Sequence, residues 1–150
     1  MSNKSDNPIT ASEAKTLAGL FRERVARSPD AVAYRQYDAS SQQWHDSSWT
    51  DMAAEVAHWQ SALENESLVR GDRVAILLRN CKEWVVYDQA ALGCGLVIVP
   101  LYTDDRPESM AYILNDSGSK LLLLQGQEQW EGVQTVLDDL QTVTRILTLE

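Results

Sequence analysis

Cysteine and histidine are scarce in this chain, two of each among 150 residues. Cys81 and Cys94 have no second pair and no histidine at ligand spacing, which excludes both a recognisable zinc site and a disulfide framework and leaves two buried or partly buried thiols. His45 and His58 are equally isolated and read as surface or packing residues. Basic residues are also in the minority. Thirteen Lys and Arg against 22 Asp and Glu give a formal charge of −9, which opposes nucleic-acid binding through phosphate neutralisation and repels an anionic membrane surface. No apolar run approaches the roughly 18 residues of a membrane span, and the longest, at residues 96–101, is strand-sized. The polar start, Met1 to Asn7, lacks the apolar stretch of a secretory signal. These exclusions point to a cytoplasmic protein with no nucleic-acid partner and no membrane span.

What is present is ordinary for a folded domain. Hydrophobic residues make up 44% and charged residues 23%, and a chain of this length buries about 70% of its unfolded surface. Residues 1–14 are polar and aperiodic and predict a flexible tail, with order beginning near Thr16. Leu17, Leu20, Phe21 and Val25 then mark one face of a helix that Pro29 stops. Residues 31–37 and 43–48 read as a β-hairpin about a polar turn. Thr50 is the expected cap of a second helix carrying Met52, Val56, Trp59 and Leu63, which ends before Gly71.

Beyond Gly71 strands and helices alternate. Residues 73–78 predict a strand, and Asn80 with Glu83 resembles a capping box for a helix ended by Gly93. Residues 96–99 are nearly all apolar, as in a strand buried on both faces. Pro107 opens a helix that Gly118 stops, residues 120–124 form another strand, Trp130, Val133, Leu137 and Leu140 mark a further helix, and 145–149 a last strand. Short connections between such elements imply right-handed crossovers. The expected fold class is α/β, a mostly parallel, doubly wound sheet flanked by helices, preceded by a helix and a hairpin.

Catalytic chemistry is hard to find. A phosphate cradle needs a glycine-rich turn where a strand passes into a helix, so that N–H groups and the positive end of the helix dipole face the anion. Gly93-Cys94-Gly95 and Ser117-Gly118-Ser119-Lys120 each lie where a helix ends, so they read as helix stops, the second with Lys120 offsetting the negative end. Asp104 and Asp105 suit the positive end of the helix begun by Pro107 better than acid–base work. Open α/β sheets bind ligands beyond the carboxyl ends of their strands, which singles out loops 79–81 and 101–106. Tyr102, Thr103 and Arg106 are the candidate site-bordering residues, while Asn80 is accounted for as a cap. No nucleophile, base or metal set is visible.

Several phrases in series resemble the opening of the acyl-adenylate-forming ligases. They are Ser28-Pro29-Asp30, Ser48-Trp49-Thr50-Asp51-Met52, Arg70-Gly71-Asp72-Arg73-Val74-Ala75-Ile76, Asn80 to Trp84, Gly93 to Pro100 with Leu101-Tyr102, and Glu108 to Asp116. Pro100-Leu101-Tyr102 tilts the likeness toward long-chain fatty acyl-CoA synthetases. The resemblance implies the N-terminal subdomain of that fold over residues 15–150. It also implies a two-step ligation in which a fatty carboxylate attacks ATP, with Mg²⁺, to give an acyl-adenylate whose acyl group passes to CoA. The family's phosphate loop, adenine and ribose contacts and mobile lysine come later in its chain and have no counterpart here. No catalytic, cofactor-binding or metal residue is therefore transferred, and none of these cofactors is expected on the 150-residue piece, which is expected to be inactive alone and to need the remainder of its own chain. The competing expectations are a parent enzyme that adenylates a different acid, and a free-standing interaction module that forms homodimers through an exposed sheet edge. A flavodoxin-like nucleotide domain is disfavoured, because Leu78-Arg79-Asn80-Cys81 is not glycine-rich.

Overall fold

The computed structural model describes residues 8–149, which fall into two compact units divided between His58 and Trp59. Each unit has its own local logic. In the first, α1 (Ala11–Ala14) and α2 (Leu17–Arg27) precede an antiparallel hairpin of β1 (Val32–Asp38) and β2 (Gln43–Ser48), and α3 (Trp49–Glu64) begins. The unit boundary falls within α3.

Half of the expected tail, residues 1–7, lies outside the described residues. The other half carries a turn of helix: Thr10 and Glu13 close a reciprocal capping box, and Arg27 reaches Glu13 at 2.5 Å, so regular structure starts five residues ahead of Thr16. Thr16 caps α2 through Gly19 N–H. The α2 stripe is only partly buried, since Leu17 is 65% exposed. Around Trp49 an aromatic group forms, with Phe21 of α2 at 5.9 Å and Tyr34 of β1 at 6.2 Å, both edge-on.

The cap of α3 is Ser48, two residues ahead of the expected Thr50. Ser48 Oγ accepts from Asp51 N–H and Asp51 Oδ2 accepts from Ser48 N–H, a capping box that starts the helix at Trp49. Thr50, already inside the helix, donates instead to the carbonyl of Pro29.

The second unit is a parallel four-stranded sheet in the order β4-β3-β5-β6, with β3 at Arg73–Leu77, β4 at Val97–Pro100, β5 at Ser119–Leu124 and β6 at Arg145–Thr148. Its helices are α4 (Lys82–Gly93), α5 (Pro107–Ser117) and α6 (Gln127–Gln134), the last followed by a 3₁₀ turn at Leu137–Asp139. One face holds Ala75, Leu77, Leu122 and Leu124 packed with Met110 and Leu114 of α5 and Val133 of α6. Val74, Ile76, Leu121 and Leu123 alternate to the opposite face and are as fully buried. The crossover through α4 runs in the opposite direction from those through α5 and α6, so right-handedness places α4 on that second face. The doubly wound expectation therefore holds.

Three local readings change. The apolar run 96–99 predicts a strand buried on both faces, yet β4 is an edge strand and Val97 is 47% exposed. Cys81, not Asn80, occupies the N-cap of α4 and makes no side-chain cap hydrogen bond. At the end of α5, Gly118 is left-handed (φ 66°), and the cation facing the last carbonyls is Arg73, which donates to Ser117 and Gly118 at 2.7 and 3.1 Å. A Cβ at Gly118 would fall on that guanidinium. Lys120 pairs with Asp72 instead, at 2.8 Å.

Candidate functional site

Parallel register fixes where loops leave the sheet. Ile76 lies opposite Pro100 and Leu77 opposite Leu124, so segments 78–81, 101–106 and 125–126 all depart from the carboxyl edge side by side. With the order β4-β3-β5-β6, the crossovers diverge between β3 and β5, which makes 78–81 and 125–126 the flanks of the switch point. The sequence alone indicates only the first of these, because strand order is not written in it.

Leu101 is anchored, buried and donating from its N–H to the carbonyl of Ile76. Beyond it the chain turns outward. Tyr102 is 79% exposed, Thr103 and Arg106 are exposed, and the N–H of Asp105 donates to the carbonyl of Tyr102. Arg106 is the N-cap of α5 by backbone only; its carbonyl accepts from Ser109 and Met110 while its side chain makes no cap hydrogen bond. All three candidates are thus placed on one loop at the carboxyl edge, next to the exposed Arg79 and Asn80. Since Cys81 holds the cap position, Asn80 is again open to a ligand role.

The polar groups of this edge are amides, hydroxyls, guanidinium groups and the carboxylates of Asp104 and Asp105, which can bind and orient a ligand. Burial, ahead of any other influence, pushes the Cys81 thiol upward, with the Glu83 carboxylate adding to it, so it is poorly suited to act as a thiolate. Among the described residues no three His, Cys, Asp or Glu side chains are grouped to hold a metal ion. The glycine turns at 93–95 and 117–119 follow helix C-termini, where carbonyl groups point outward, and the second is filled by Arg73. These residues do not fit ATP phosphate or magnesium, and no catalytic step is assigned to them.

One concave feature was not anticipated. An open groove of about 520 Å³ runs between α6 and β6, lined by Gln127, Trp130, Ile146 and Thr148. Trp130, expected in the core, does pack against it but also forms a groove wall. An exposed sheet edge was expected from the sequence; the groove that α6 leaves beside it at β6 was not.

The sequence profile of the AMP-binding enzyme family matches residues 21–150. A long-chain-fatty-acid–CoA ligase of Mycobacterium tuberculosis, FadD15, is 32% identical over 120 residues, covering 77% of this chain and 19% of that protein. Also similar is the uncharacterized protein Rv1549 of the same organism, 25% identical over 118 residues, which are 79% of this chain and 65% of that one. Among solved structures, a fatty acyl CoA synthetase of M. tuberculosis superposes with a TM-score of 0.80 at 26% identity, covering 89% of this chain and 26% of that chain. The N-terminal domain of FACL13 from M. tuberculosis gives 0.77 at 26% identity, covering 87% and 32%. The chain thus spans about a fifth of the length of the FadD15 ligase. Profile, relatives and superposition agree with the parallel sheet built above: the chain belongs to the AMP-binding enzyme family and corresponds to an N-terminal part of the fold of its fatty acyl-CoA synthetases.

Proposed function

We propose that these 150 residues serve as the N-terminal portion of a fatty acid–CoA ligase, which activates a fatty acid with ATP and Mg²⁺ to an acyl-adenylate and passes the acyl group to CoA. The observation that carries this reading is the family match over residues 21–150 together with relatives named as fatty acid–CoA ligases. On this reading residues 15–150 are one structural contribution to a larger enzyme, and the loop with Tyr102, Thr103 and Arg106 borders its ligand cleft. The piece by itself contributes scaffold and no catalysis, consistent with the helix ends found at both glycine turns. Its setting is the cytoplasm, in keeping with the absence, among the described residues, of a helix long and apolar enough to cross a membrane.

The test uses the natural polypeptide that contains this sequence. Purified with ATP, Mg²⁺ and CoA, it should release AMP in step with acyl-CoA when given fatty acids and not when given aromatic or amino acids. Equal or better turnover of another acid class would replace the fatty-acid assignment; no AMP release with any acid would remove the enzyme assignment.

A second reading has one specific observation in its favour. Rv1549, of which the matched region is 65%, shows that a family relative exists in which this part makes up most of the protein. A free-standing, non-catalytic interaction or dimerisation module would appear in cells as a native polypeptide near 16.8 kDa on an immunoblot, whereas a much heavier species supports the ligase.

A further inference from the structure

We draw no further inference here: the strongest candidate, the exposed face of the β1–β2 hairpin on which Tyr37 and Trp44 meet in a tilted ring contact beside the Arg35–Asp46 ion pair, is a surface patch for which nothing in the structure shows what covers it.

Discussion

Single side chains in the second unit show how tightly the sheet constrains chemistry. Tyr87 on α4 is fully buried and edge-on to Trp59, with ring centroids 5.1 Å apart, yet its hydroxyl has no hydrogen-bond partner among the described residues. Burial, with the Glu66 carboxylate as a lesser influence, pushes its pKa upward. A buried unpaired hydroxyl costs about 1–3 kcal/mol of desolvation. Tyr87→Phe keeps the ring contact and removes that cost, so it should leave stability unchanged or raise it by about 1 kcal/mol in urea titration; a loss larger than that would reveal a partner for the hydroxyl. Asp72 is the opposite case. Its carboxylate accepts from Lys120 Nζ at 2.8 Å and from Val69 N–H at 2.9 Å, and these bonds, the Lys120 bond foremost, hold its pKa below the ordinary value. A depressed folded-state pKa gives stability that is present above the unfolded value and lost as pH falls through the folded one. Asp72→Asn should therefore be less stable than the parent at about pH 7, and the gap should narrow at a pH well below the ordinary aspartate range. If urea midpoints differ equally at both pH values, the charge is not the source.

Elements were legible from the sequence where one signal dominated, and misplaced where two signals competed. Pro107 and Gly118 bracket α5 as expected, because a proline at the first turn and a left-handed glycine at the end leave little choice. The cap of α3 was misplaced because Ser48 and Thr50 are both good cap residues; Asp51, three residues after Ser48, decides by closing the box. Ser48→Ala should cost about 1 kcal/mol, whereas Thr50→Ala, which removes only the hydroxyl bond to Pro29, should cost less than half of that. Thermal melts of the two variants distinguish them, and a larger loss from Thr50→Ala would return the cap to Thr50. The run at 96–99 reads as a strand buried on both faces because it is apolar, yet β4 lies at the sheet edge with Val97 47% exposed, and the groove beside β6 depends on how α6 packs, which periodicity does not encode. The candidate site was legible as far as the loops: residues 79–81 and 101–106 follow from the alternation of strands and helices, while segment 125–126 required the strand order.

At the scale of the whole molecule the two units are built on unequal foundations. In the second, β3 and β5 are flanked by strands on both sides and carry residues at 0–1% exposure from Val74 to Leu77 and from Leu121 to Leu124. In the first, among the described residues, β1 and β2 pair only with each other; near their turn Tyr37 and Trp44, at 48% and 64% exposure, make a tilted ring contact, and the exposed Arg35–Asp46 pair also links the two strands. Two-stranded sheets are marginal in water, and exposed ion pairs add about 0–1 kcal/mol. Local opening free energy follows buried apolar contact, so the hairpin should open far more readily than the sheet. Native-state hydrogen exchange should find the amides of Leu122 and Leu123 protected by the full unfolding free energy, and those of Gln36 and Tyr37 at least about a hundredfold less. Comparable protection in both places would mean that the hairpin and the sheet unfold in one step, and that the hairpin draws its stability from more than its own two strands.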